Sequence, residues 1–236
     1  MAKDVIIPLD FASAQEAFAF LSLFPAGEKP FVKIGMELFY AEGPAVAREI
    51  KARGHRLFLD LKLHDIPNTV KKAMISLRNL DVDICNLHAA GAGEMMRAAL
   101  EGLTRPDGTH PLLIAVTQLT STSQAQMNGE LRIPGTVEET VLAYAQNAKS
   151  CGLDGIVCSP LEVPGVKAAF GTEFLTVTPG VRFADSETDD QSRIATPAKA
   201  RQLGSDYIVV GRPITAAADP LAAYRRAMRA FLGDAS

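Results

Sequence analysis

Short apolar runs rich in β-branched residues recur eight times along the chain, at positions 5–9, 31–34, 57–61, 82–87, 112–116, 155–158, 174–177 and 207–210, with helical patterns between them. Strands that are apolar almost throughout are covered on both faces, which is the situation of a parallel sheet crossed by helices. Eight such βα units in 236 residues predict an α/β fold, a (β/α)₈ TIM barrel, with residues 1–236 forming one domain. A doubly wound open sheet is the other arrangement this alternation allows. The helix signals agree with either. Ser13 with Glu16 three residues later predicts a capped helix over 13–24, and Thr136 with Glu139 does the same for 136–150. Asp219 before and Gly233 after 220–232 give the usual asymmetry of helix caps.

The positions of the polar residues favour the barrel. Asp10, Lys33, Asp60, Lys62, His88, Thr117, Thr120, Ser159 and Arg212 all fall at or just past the C-terminal ends of different strands, and in a barrel those ends meet at one mouth, where active sites are built. Composition narrows what can bind there. With 47% apolar and 22% charged residues the chain can fill a sizeable core. A net charge of -3 and a pI near 5.8 leave no global basic field, so nucleic acid and anionic membrane are not expected partners and any anion site is local. Cys85, Cys151 and Cys158 are odd in number and lack C-x-x-C spacing, which speaks against a disulfide framework or a zinc cluster and suggests buried thiols in a reducing compartment. The first ten residues lack a basic segment followed by a long apolar one, and no run approaches 18 apolar residues. The expected location is the cytoplasm.

The densest chemistry lies in Asp60-Leu61-Lys62-Leu63-His64-Asp65-Ile66-Pro67-Asn68-Thr69. Period-2 strand geometry points Asp60 and Lys62 to one face. Asp65 follows in a loop that passes into a helix beginning near Asn68. Many D-x-K triplets are solvated surface pairs. Here the strand is otherwise apolar, so its charged tip belongs at a sheet end or in a cleft. A second site follows the last strand, where Val209-Val210-Gly211-Arg212-Pro213-Ile214 passes through glycine toward a short helical turn. This could be a plain turn, but Gly211 would also allow close backbone approach and Arg212 a bidentate contact to phosphate. Two connections, 120–135 and 179–196, are longer than a βα loop requires and are candidate lids; the second contains Arg182 and the polar stretch Asp185-Ser186-Glu187-Thr188-Asp189-Asp190-Gln191. His64 is expected to bond backbone and His88 to be structural. His55 and His110 sit in connections, and Ser159 has no evident general base.

The block D-x-K-x-x-D-I-P-N-T, preceded by Asp10 and Val32-Lys33-Ile34-Gly35 and followed by Thr178-Pro179-Gly180-Val181-Arg182 and Val210-Gly211-Arg212, closely resembles orotidine 5'-monophosphate decarboxylase, over residues 4 to about 230. The chain departs from that family at Ala92, in His88-Ala89-Ala90-Gly91-Ala92, where a second glycine is usual. The resemblance implies that Lys62 is the proton donor, flanked by Asp60, with Lys33 and Asp65 completing an alternating charge array. It implies further that Asp10 and Lys33 hold ribose hydroxyls, Thr120 faces the pyrimidine, and Arg182, Gln191, Gly211 and Arg212 grip the phosphate. Asp65, Ile66 and Thr69 would enter the site of a second subunit in a homodimer, and no metal or organic cofactor would be needed.

The residue types suit that chemistry. Loss of CO₂ from C6 of orotidine monophosphate leaves a carbanion with no adjacent electron sink, so the site must stabilise negative charge and then supply a proton. A fixed ammonium does both, and carboxylates on either side of Lys62 would keep it charged. Two other functions fit the pattern less well. A magnesium-dependent sugar-phosphate decarboxylase or aldolase on the same barrel would use the carboxylates as metal ligands; a non-catalytic phosphate-binding barrel would have no use for the full charge array.

Overall fold

The computed structural model describes residues 3–185 and 195–233. Its eight strands are β1 (Asp4–Pro8), β2 (Phe31–Ile34), β3 (Leu57–Leu63), β4 (Ile84–His88), β5 (Leu112–Val116), β6 (Gly155–Val157), β7 (Leu175–Thr178) and β8 (Tyr207–Val209). Each pairs in parallel with the next, and β8 returns to β1, closing the barrel. The predicted fold class is the observed one, and the open sheet is excluded by that closure.

The helices are α1 (Ala14–Leu21), α2 (Met36–Glu42), α3 (Pro44–Ala52), α4 (Pro67–Leu77), α5 (Ala92–Leu103), α6 (Gln124–Gly129), α7 (Val137–Ser150), α8 (Val163–Phe170), α9 (Pro197–Leu203), α10 (Arg212–Thr215) and α11 (Pro220–Leu232). None among the described residues is long and apolar enough to cross a membrane. Two of the cap readings hold as read: α7 opens on a reciprocal Thr136–Glu139 box, and α11 is capped by Asp219 and ends at Gly233. At α1 the Ser13 hydroxyl accepts the Glu16 N–H, but the Glu16 carboxylate reaches back one residue further, to the N–H of Ala12, and the helix stops at Leu21 instead of running to 24. The long connection over 120–135, read as a candidate lid, contains α6, started by a Ser123–Gln126 capping box.

Strand parity sorts the core into two shells. Ile6, Phe31, Phe58, Ile84, Ile114, Leu175, Val177, Tyr207 and Val209 fill the barrel interior. Their sequence neighbours Val5, Ile7, Val32, Leu57, Leu59 and Cys85 face outward, under the helices. At the N-terminal end Arg56 stacks on the Phe31 ring at 4.1 Å and pairs with Asp4 at 3.1 Å. The three cysteines are free thiols and buried; burial pushes that of Cys85 up to about 12.

Candidate active site

Three neighbouring strands build the charged wall of the site by one rule. On β2, β3 and β4 an inward apolar residue of the lower layer is followed two residues later by a polar one in the layer above: Phe31 then Lys33, Phe58 then Asp60, Ile84 then Asn86. Alternation alone therefore lifts an ammonium, a carboxylate and an amide onto the same level at the mouth. Asp60 is the hub. Its Oδ2 pairs with Lys33 Nζ at 3.1 Å, while its Oδ1 accepts from Lys62 Nζ at 2.7 Å and from Asn86 Nδ2 at 2.6 Å. Lys33 also reaches the exposed Asp10, at 3.4 Å.

The path to Lys62 differs from the period-2 reading. β3 does not end at Leu61 but continues to Leu63, with its register against β4 shifting between Leu59↔Cys85 and Leu63↔Leu87. Within that bulge Lys62 adopts φ +52°, the left-handed region, which residues with a side chain enter rarely. Lys62 meets Asp60 through this local turn of the backbone.

Electrostatics fixes the state of the wall. Burial by itself would push the Lys33 ammonium down, but the charges of Asp60 and Asp10 outweigh it and hold Lys33 above the ordinary lysine value. For Asp60 burial is again the largest single influence and acts upward. Lys33, Lys62 and the Asn86 hydrogen bond together overcome it, leaving the carboxylate below its usual range. Lys33 and Asp60 are thus both ionised at neutral pH.

The cavity in front of it has a volume of about 610 Å³, the size that suits a small-molecule ligand. Phe58, Val116, Val177 and Val209 form its apolar floor, and Gln118, Thr120, Arg182, Gly211 and Arg212 line it together with the two lysines. Space at Gly211 is tight, since a Cβ there would sit 3.2 Å from Pro8 Cγ. The root of the long connection after β7 is pinned: Arg182 N–H donates to Ala195 O at 3.0 Å and Ala195 N–H to Gly180 O at 3.1 Å. Arg182 is buried, and Phe183 beside it lies under the Arg226 guanidinium, which also pairs with Asp185.

Of the residues singled out from sequence, Asp10, Lys33, Asp60, Lys62, Thr120, Arg182, Gly211 and Arg212 line this one cavity. Gln191 lies outside the described residues. Asp65, Ile66 and Thr69 are exposed and outside the lining of this chain's own cavity; the Asp65 carboxylate accepts its neighbour Ile66 N–H at 2.6 Å, and the Ile66 side chain is 66% exposed. Three residues placed at the mouth do not line it. Thr117 turns into the sheet and donates to Val157 O, Ser159 caps a helical turn over Pro160–Glu162, and His88 stacks on His64. That stack corrects the expectation that His64 would bond backbone: its exposed ring lies 5.7 Å from that of His88. Burial, with His64 and Lys62 nearby, holds His88 below the ordinary histidine value, so it is neutral at pH 7. Polar residues of the site that sequence reasoning missed are Gln118, Ser121 and Thr215 in the cavity lining and Asn86 behind Asp60. Asn86 could have been found, as the polar residue inside the otherwise apolar run of β4, two residues after the inward Ile84.

Comparison with known proteins adds to this geometry. A family model described as "Orotidine 5'-phosphate decarboxylase / HUMPS family" matches residues 3–227. Curated proteins named orotidine 5'-phosphate decarboxylase from Bacillus cereus and Bacillus cytotoxicus are each 56% identical over 236 residues, covering 99% of both chains. Among solved structures, orotidine 5'-phosphate decarboxylase from Lactobacillus acidophilus superposes with a TM-score of 0.87 at 40% identity, over 97% of this chain and 99% of that one. An uncharacterized conserved protein from Geobacillus kaustophilus gives 0.85 at 50% identity, over 96% and 99%.

Proposed function

The chain belongs to the orotidine 5'-phosphate decarboxylase / HUMPS family, and on that premise we propose the residue roles that follow. The protein is a carboxy-lyase of pyrimidine biosynthesis, converting orotidine 5'-monophosphate to uridine 5'-monophosphate and CO₂. The observation that carries the assignment of roles is the Lys33–Asp60–Lys62 chain, with contacts of 3.1 and 2.7 Å, set at the rim of a nucleotide-sized cavity.

The C6–carboxylate bond breaks, its electron pair stays on C6, and CO₂ leaves. Lys62 first opposes the growing negative charge with its ammonium and then gives C6 a proton, ending neutral until solvent recharges it. Asp60 holds Lys62 in place and, through its second oxygen, holds Lys33. Stabilising the carbanion and positioning the donor are the leading contributions, ahead of repulsion between Asp60 and the departing carboxylate. Asp10 and Lys33 take the ribose hydroxyls, Thr120 faces the pyrimidine, and Arg182, Gln191, Gly211 and Arg212 receive the phosphate, whose binding energy far from C6 draws the long connection after β7 over the site.

The protein works as a cytoplasmic homodimer of single-domain chains without metal or organic cofactor. Asp65, Ile66 and Thr69 enter the neighbouring subunit's cavity, where Asp65 becomes the second carboxylate beside Lys62; support comes from their exposure, on the loop before α4 and in its first turn, outside their own chain's cavity. The magnesium reading, which would use Asp60 and Asp65 as ligands, is disfavoured because Asp60 is already paired with Lys33, Lys62 and Asn86 while Asp65 lies outside this chain's cavity.

An ultraviolet assay following loss of orotidine monophosphate tests the roles. Lys62→Ala is expected to abolish turnover while the fold and binding of uridine monophosphate persist, because it removes a group at the mouth and not a core side chain. Turnover near that of wild type in this variant sinks the mechanism. Chelator is expected to leave the wild type unaffected; a loss restored by magnesium supports the metal-dependent reading instead.

A further inference from the structure

We propose that Asn86 is the positioning residue of the proton donor: its side-chain amide locks the Lys62 backbone and the Asp60 carboxylate into one geometry. The inference rests on the reading of Lys62 as that donor.

Asn86 is 1% exposed, on the inward face of β4, and both ends of its amide are used. Nδ2 donates to Asp60 Oδ1 at 2.6 Å, and Oδ1 accepts the Lys62 backbone N–H at 2.8 Å. The two contacts fix which end is nitrogen, since a carboxylate accepts and a peptide N–H donates. Lys62 needs this support. It stands in the β3 bulge at φ +52°, a conformation that persists only where the surroundings over-determine it, and its N–H bonds to the Asn86 side chain in place of the β4 backbone. The same amide then steadies the oxygen that receives Lys62 Nζ at 2.7 Å. Backbone and ammonium of one residue are thus referred to a single rigid group. A carboxamide of this size offers a donor and an acceptor within one rigid plane without carrying charge.

The charged or titratable groups around Asp60 are Lys33 from β2 with Asp10 behind it, Lys62 on β3, and His88 on β4 beyond Lys62. Asn86 is the one neutral donor to the carboxylate in that set, so its removal has a titration signature as well as a geometric one.

The test compares Asn86→Ala, Asn86→Asp and Lys62→Ala in the full-length protein, measuring kcat and KM on orotidine monophosphate across pH, with thermal unfolding alongside. Asn86→Ala is expected to lower kcat by about tenfold or more with KM changed less than about threefold, because the donor is misplaced while phosphate and ribose contacts remain. The acid limb of kcat against pH moves upward, since Asp60 has lost a donor to its charged form. Asn86→Asp, nearly identical in shape, moves that limb further by placing a second carboxylate beside the first. Unchanged kcat with an unchanged profile overturns the proposal, as does a fall in kcat with an unmoved profile, which marks a structural role. Failure of both variants to fold overturns it too, by making Asn86 a core residue. Lys62→Ala separates the two readings: if it retains turnover, the donor assignment itself falls, whereas an inactive Lys62→Ala beside a normal Asn86→Ala removes only the role of Asn86.

Discussion

Asp60→Asn deletes the single carboxylate that two ammonium groups share. Contacts of 3.1 Å to Lys33 and 2.7 Å to Lys62 correspond to attractions of about 5 and about 6 kcal/mol at an effective dielectric near 20. Taking the carboxylate out of water opposes them by several kcal/mol. Attraction wins, since Asp60 is held below the ordinary carboxylate range in spite of its burial. Cutting the hub should therefore cost about 3 kcal/mol of stability, the low end for a broken buried pair because Lys33 keeps a contact to Asp10. For a chain of this length that lowers Tm by about 6–12 °C. The sign with pH is fixed. A carboxylate whose folded pKa is depressed contributes its stability above its unfolded value, about 3.9, and loses it as pH falls toward the lower folded value. The gap between wild type and variant should be full at pH 7 and 5 and smaller at pH 3, read by thermal unfolding under circular dichroism. Equal Tm values at pH 7, or a gap that widens on acidification, would refute the reasoning.

Arg212→Ala should weaken productive binding of the phosphorylated substrate by about 2–5 kcal/mol and matter far less for orotidine without its phosphate; equal losses in kcat/KM on both would make Arg212 structural. Lys62→Ala and Asp65→Ala chains, each nearly inactive alone, should complement after subunit exchange, because half of randomly reassorted dimers are mixed and each mixed dimer has one intact site, so about a quarter of all sites recover. Exchange verified by mass with no gain in activity removes Asp65 from the neighbouring site. Ala92 stands at φ +63° and ψ 173°, a region that is essentially glycine's and costs other residues about 1–3 kcal/mol. Even after glycine's looser unfolded chain is allowed for, Ala92→Gly should stabilise by about 1 kcal/mol, and a lower Tm would show that the backbone there is unstrained.

Strand positions, the barrel and the charged residues at the strand ends were legible because they follow from the apolar runs and their alternation. Phe31 and Phe58 two residues before Lys33 and Asp60 place the charges inward without any tertiary knowledge. The α6 helix was hidden because Ser123 and Gln126, its capping pair, lie in a polar stretch with little apolar periodicity, and only the buried Met127 ties it to the fold. The bulge at Lys62 was illegible for a different reason: nothing in Asp60-Leu61-Lys62-Leu63 signals a left-handed residue, and the partner that stabilises it, Asn86, is 24 positions away. The stacking of His64 on His88 is likewise a tertiary contact, between the loop after β3 and the end of β4, which local sequence cannot supply.

The packed interior beneath the site has a consequence for traffic. Phe31, Phe58 and Tyr207 fill the barrel below the cavity, and Arg56, held by Asp4, lies against Phe31 at the far end. The pocket is a cul-de-sac. With the described residues filling the barrel beneath it, carbon dioxide formed beside Lys62 leaves by the mouth through which the nucleotide entered, so the time this gas spends beside the new carbanion is set by whatever covers that mouth. Labelled CO₂ returning into substrate would measure that dwell directly, and loosening the cover, with the charged wall untouched, should shorten it.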